Sequence, residues 1–90
     1  MEGELNTFLL TVSTPDGNVF EEQIRELIVR GAEGDLAVLP GHAPMTTFVK
    51  ACVCRIVTDN DELIKVRTDG GLLSVGDGGA VFLCSGFEEE

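Results

Sequence analysis

Phe8, Leu10 and Val12 alternate with Thr7, Thr11 and Ser13, and only Leu9 breaks the polar side. This period of two predicts a half-buried strand over Phe8–Ser13. Thr14-Pro15-Asp16-Gly17-Asn18 then turns the chain, since Pro presets φ and Gly or Asn tolerates positive φ. Val19-Phe20 resumes an extended segment, Glu21-Glu22-Gln23 is polar, and Ile24–Val29 reads as a β-branched, apolar strand. A helix over Val19–Arg30 is the competing reading, because Glu22, Arg25, Glu26, Leu27 and Arg30 are fair helix formers. No N-cap followed by a sustained apolar stripe supports it, so strand is expected.

Further strands are predicted at Asp35–Leu39, Met45–Val49, Cys52–Thr58, Leu63–Thr68, Leu72–Val75 and Ala80–Cys84. Turn residues separate them: Gly31–Gly34, Pro40-Gly41, Asp59-Asn60-Asp61, Asp69-Gly70-Gly71 and Gly76–Gly79. Short strands at near-regular spacing with Gly-rich turns indicate an all-β sandwich or barrel. No repeat or interdomain linker interrupts the chain, and Glu88-Glu89-Glu90 reads as a solvated acidic tail.

Ninety residues make one domain, in which folding buries about 60–65 % of the unfolded chain's surface. The core is therefore thin and leaves little room for a deep cleft. Sixteen acidic residues against six basic ones give a net charge of −10, which repels phosphate backbones and argues against nucleic-acid partners. No run of about eighteen apolar residues offers a membrane-spanning helix. The start Met1-Glu2-Gly3-Glu4 has neither the basic and apolar regions of a signal peptide nor the composition of a transit peptide.

Tests for chemistry leave little. Three cysteines, Cys52, Cys54 and Cys84, form no Cys-x-x-Cys pair, and His42 is the sole histidine, so neither a disulfide framework nor a zinc site is expected. Cys52 and Cys54 share one strand face and read as small buried hydrophobes. Asp59-x-Asp61 opens like a calcium loop, but the sixth and twelfth positions are Ile64 and Gly70, so a hairpin turn is the better reading. The glycines at 76, 78 and 79 form no phosphate-binding run, and no Gly-x-Ser-x-Gly elbow occurs. No enzyme, cofactor or metal is expected. Two other classes stay open: a carrier domain modified on Lys50 or Lys65, and a thiol enzyme using Cys84. The lysines sit in strand-like surroundings, not at a hairpin tip, and burial should suppress the thiol.

Leu39-Pro40-Gly41-His42-Ala43-Pro44 stands out. Two prolines four apart stiffen it, Pro44 extends Ala43, and His42 is held in a fixed direction. On physical grounds a structural corner and a docking loop weigh equally, since ordered loops are favoured places for function.

Gly31-Ala32-Glu33-Gly34-Asp35-Leu36, followed by Leu39–Thr47 and later by Gly70-Gly71-Leu72-Leu73-Ser74-Val75, resembles the signature of the epsilon subunit of bacterial F-type ATP synthase. Order and spacing agree from about Leu5 to Gly86. Two positions depart: Cys52 and Glu22 stand where the family often has Gly. The resemblance implies a flattened β-sandwich of about ten short strands over residues 1–86, with 87–90 as an acidic tail. In the family a C-terminal helical hairpin follows, and inhibition and nucleotide sensing belong to it. Here the chain reads Ser85–Glu90 and stops, so helix-mediated inhibition and direct ATP binding are not expected. The start at Met1, with no tag, favours a naturally short member over a truncated chain.

The resemblance further implies a non-catalytic central-stalk subunit that couples the gamma subunit to the c-ring during ion-driven ATP synthesis. It implies a peripheral place on the cytoplasmic face of the bacterial inner membrane, reached through the complex alone. Carried over by position, Ser13, His42 and Thr47 would contact gamma, and Ala32, Glu33 and Asp35 would contact the c-ring.

Overall fold

The computed structural model describes residues 6–90. Met1–Glu4, read above as lacking a signal peptide, and Leu5, where the resemblance begins, lie outside the described residues. Among the described residues nine strands follow one another: β1 (Phe8–Thr14), β2 (Gly17–Gly31), β3 (Gly34–Val38), β4 (Met45–Val49), β5 (Cys52–Thr58), β6 (Leu63–Thr68), β7 (Gly71–Gly76), β8 (Gly79–Cys84) and β9 (Phe87–Glu89). No helix occurs among the described residues. The expected all-β sandwich is the fold that forms.

The first layer runs β2–β1–β8–β7–β4, with β1 and β8 parallel and the other neighbours antiparallel. The second runs β3–β2–β5–β6–β9, antiparallel throughout. β2 belongs to both. Its first half pairs with β1 and its second half with β3 and β5. A β-bulge makes the corner: Ile24 faces Thr58 and Glu26 faces Val57, leaving Arg25 as the extra residue. The slip shifts the inward phase, so Ile24 and Leu27, three apart, are both buried. The helix weighed over Val19–Arg30 does not form; the segment is strand, as expected. Two segments read separately, Val19-Phe20 and Ile24–Val29, thus form one strand through Glu21-Glu22-Gln23, and the described residues hold nine strands where about ten were expected.

Between the layers lies one core: Leu10, Val12, Ile24, Leu27, Val29, Val38, Val49, Cys54, Ile56, Val66, Leu73, Val75, Ala80 and Phe82. Alternation in β1, β5, β6 and β8 supplies half of it. Cys54 is fully buried and donates to Val66 O at 3.3 Å, while Cys52 and Cys84 are half-buried at the margin. The segment Phe87–Glu90, expected as a solvated acidic tail, includes the short strand β9. Its glutamates are exposed, but Phe87 packs edge-on against Phe20 and Phe82 at centroid distances of 5.9 and 6.5 Å. The half-buried aromatic ring holds the backbone in pairing with β6. Glu90 then donates its backbone N–H to Lys65 O and accepts from Arg67.

Candidate docking surfaces

The Asp59-Asn60-Asp61 segment is a hairpin turn, as expected. Thr58 Oγ1 accepts from the N–H groups of Asn60 and Glu62 at 3.3 and 3.1 Å, and Asp61 takes a positive φ of 66°. Arg25, from the bulge, pairs with Asp61 at 3.5 Å. Among the described residues no group of three or more His, Cys, Asp or Glu side chains is placed to hold a metal ion. Burial pushes the Cys54 thiol up to about 12, with the neighbouring Cys52 adding to it, and burial also raises Cys84. Such thiols stay protonated and make poor nucleophiles near neutral pH. Lys50 is exposed in the Lys50-Ala51 connection, but β4 and β5 are not paired, so it does not crown a hairpin.

The Leu39–Pro44 loop carries the chain from the edge of one layer to the edge of the other. His42 N–H donates to Leu39 O at 3.1 Å, closing a turn with Pro40 and Gly41 at its centre. Gly41 has φ +82°, the positive value that the third residue of a type II turn requires. The half-buried His42 ring folds back, with Nδ1 2.8 Å from Ala43 O. Beside it opens a cavity of about 430 Å³, lined among others by Phe8, Gln23, Val38, His42, Val75 and Asp77.

The three gamma candidates do not form one cluster. Ser13 lies at the opposite end of β1 from Phe8, on the outer side of the first layer, with its hydroxyl 2.6 Å from Asn18 Oδ1. Thr47 faces Leu73 across β4 and β7, so it shares the core-facing side and is half-buried at the open edge. His42 sits on the crossing loop. The three ring candidates are together. Ala32 and Glu33 form the exposed tip of the β2–β3 hairpin, closed by Gly31 and Gly34, and Asp35 follows on β3. Asp35 accepts from Arg30 Nε at 3.2 Å, an exposed pair.

A second surface was not anticipated from the sequence. Outward positions of β1, β8, β7 and β4 fall in cross-strand register: Thr11–Val81–Ser74–Thr46 in one row and Ser13–Leu83–Leu72–Phe48 in the next. None of these eight residues is charged, although 24 % of the chain is. Phe48 is 70 % exposed, Leu83 49 % and Val81 41 %. By strand spacing and rise the two rows span roughly 15 Å across the strands and about 7 Å along them. Depletion of charge around an exposed aromatic is the composition of an interface centre. The signal was present in the unbroken apolar run Ala80–Cys84. A strand apolar on both sides, in a fold with one core, must turn one apolar side outward.

The chain matches, over residues 7–90, the family described as ATP synthase, Delta/Epsilon chain, beta-sandwich domain. It is 34 % identical over 80 residues to the ATP synthase epsilon chain of Clostridium botulinum, covering 89 % of this chain and 60 % of that one. It is 37 % identical over 71 residues to the epsilon chain of Desulfitobacterium hafniense, covering 79 % and 53 % respectively. The chain thus spans between half and two thirds of the length of these curated relatives. Among solved structures it superposes on a chain of the Euglena gracilis mitochondrial ATP synthase with a TM-score of 0.87 at 18 % identity, covering 99 % of this chain and 57 % of that chain. A chain in the central stalk and c-ring of the Tetrahymena thermophila mitochondrial ATP synthase gives 0.73 at 14 %, covering 89 % and 64 %. At those identities the likeness is one of fold. Family match, sequence relatives and fold agree: this chain belongs to the ATP synthase Delta/Epsilon family and carries its β-sandwich domain.

Proposed function

We propose that this chain is a non-catalytic rotor subunit that docks onto the gamma subunit and the c-ring of an ATP synthase and couples the two. The observation that carries the reading is the charge-free apolar face Phe48–Leu72–Leu83 with Ser13 in the same row, on a sandwich of this family. That face suits gamma, with Phe48 as the anchor. Ser13 joins the contact directly, while His42 and Thr47 act from the adjacent loop and edge. The Ala32-Glu33 tip with Asp35 suits basic loops of the ring, where exposed carboxylates set register and on-rate more than affinity. A disulfide-free sandwich tied by short turns serves as a stiff spacer.

ATP binding and helix-mediated inhibition are not assigned to this sandwich. The gamma and c subunits are also what would hold it at the cytoplasmic face of a bacterial inner membrane, peripherally. The test is a pull-down of tagged chain from detergent-solubilised membranes. Gamma and c should co-purify with the native chain. Phe48→Asp should lose gamma, and Glu33→Lys with Asp35→Lys should weaken the ring contact while keeping gamma. An ATP synthase that assembles and pumps normally without the chain would overturn the reading.

A further inference from the structure

The outer face of the second layer has a chemistry unlike the first. Outward positions there are Asp35 and Ala37 on β3, Glu26, Ile28 and Arg30 on β2, Val53, Arg55 and Val57 on β5, and Leu63, Lys65 and Arg67 on β6. Four of the chain's six cations, Arg30, Arg55, Lys65 and Arg67, are therefore gathered on one face of a protein of net charge −10. Three of its carboxylates are at the rim, where Asp35 holds Arg30, Glu90 holds Arg67 and Glu88 stands opposite Arg67, while the half-buried Glu26 on β2 faces Val57 and makes no ion pair among the described residues.

The centre is different. Arg55 and Lys65 are directly opposed across β5 and β6, an arrangement that costs stability because like charges face each other. Neither makes an ion pair among the described residues. Exposed apolar side chains flank them, with Val53 39 % and Leu63 55 % exposed. Pairing between β2 and β5 ends at Ile28–Arg55, and beyond it the strands part into a groove of about 270 Å³ that includes Ile28, Arg30, Val53 and Arg55.

We propose that this face docks an acidic amphipathic segment of a partner protein, away from the surface assigned above to gamma and adjoining the ring-side tip only at Asp35. Carboxylates of that segment would pair with Arg55 and Lys65, relieving the like-charge contact. Its apolar residues would cover Val53, Val57 and Leu63. Charge complementarity selects the occupant: a cationic centre with apolar flanks rejects basic segments and rewards acidic ones that also carry apolar side chains. A purely apolar partner would strand both cations without water or counter-charge.

The test uses the whole chain and a labelled amphipathic peptide of about four helical turns, with Leu on one stripe and Glu beside it. Its counterpart has Gln for every Glu, and inorganic polyphosphate serves as a second probe. Fluorescence anisotropy reads affinity, and amide chemical shifts locate the site. We expect shifts confined to Val53–Val57, Leu63–Arg67 and Ile28–Arg30. Affinity should fall at least tenfold with the Gln peptide and in Arg55→Gln/Lys65→Gln. It should fall similarly from about 0.1 M to 1 M salt, as screening shortens from about 10 Å to 3 Å. The double variant should keep its fold by circular dichroism and should still capture gamma, which separates this proposal from the coupling role. Absence of binding, undiminished binding by the double variant, shifts on the Phe48–Leu83 face, or competition by polyphosphate as effective as the Glu peptide's own binding would each overturn it.

Discussion

Replacing Gly71 by Ala should cripple the fold, although the change is one methyl group at the start of β7. A Cβ at Gly71 would run into the carbonyl oxygen of Leu83, with Leu83 C at 2.9 Å and Cys84 Cα at 3.0 Å behind it. All three are backbone atoms, so no side chain can swing away. β8 must instead retreat from β7 by roughly 1 Å, which takes ladder hydrogen bonds outside their working range. The rungs at stake are Gly71–Cys84 and Leu72–Leu83. Losing them costs about 1 kcal/mol per bond. Disturbing buried Leu73 and Phe82 next to them adds about 1–3 kcal/mol. The expected total is about 3–5 kcal/mol, set against the usual total stability of about 5–15 kcal/mol. At about 4–8 °C per kcal/mol the midpoint should fall by 12 °C or more. Gly76→Ala is the control, because nothing lies within 4 Å of its Cβ and its φ is ordinary. It should stay within about 0.5 kcal/mol of the native chain. Urea unfolding by far-UV circular dichroism suits a chain without Trp or Tyr. Equal midpoints for the two variants would refute the close-approach argument.

The buried Cys54 thiol sets a pH dependence. The folded state keeps a proton that the unfolded chain releases above its ordinary value of 9.0, so this stability is complete below about pH 9 and is lost as pH rises toward 12. The unfolding free energy from urea titrations should decline at up to about 1.4 kcal/mol per pH unit over that window, and Cys54→Val should flatten the decline. Phe87→Ala should release β9: a cost of about 2–4 kcal/mol, with faster amide exchange in Lys65–Arg67, whose strand it pairs. Asp35→Asn, by contrast, should change stability by less than about 0.5 kcal/mol, since its pair with Arg30 is exposed. A ring-binding loss in that variant would then be read as an interface effect.

How much of this was legible in the sequence depended on whether a signal was local. The strands Phe8–Thr14, Cys52–Thr58 and Leu63–Thr68 were visible because each buries alternate residues in one core. The hairpin at Asp59–Asp61 was visible because turn chemistry is local. β2 was not, since a bulge at Arg25 shifts the phase and polar Glu21–Gln23 stay paired to β1. β9 was hidden for the opposite reason. Three glutamates signal solvent, and only the distant rings of Phe20 and Phe82 explain why Phe87 is held. For the candidate site, the Ala32-Glu33 tip and the Pro40–Pro44 turn followed from Gly and Pro placement. The two outer faces did not, because their composition appears only when residues from four strands are set side by side in register.

That register also changes how the Pro-Gly-His-Ala-Pro segment is understood. Physical reasoning on the sequence left it balanced between corner and docking loop. In the fold it is the link from β3 to β4, the strands at the open edges of the two layers. Its turn bond and the His42–Ala43 contact are internal to the loop, so its stiffness constrains how the layers sit on each other. The layers meet again at the single rung Gly31–Val49 beside the Ala32-Glu33 tip. A load applied at that tip therefore enters the first layer at β4, the strand that carries Phe48, and from there spreads through β7, β8 and β1 back to β2. This closed circuit has a mechanical consequence for the proposed coupling role. Each inter-strand step in it resists shear by ladder bonds, so the tip and the apolar face move together unless a rung fails.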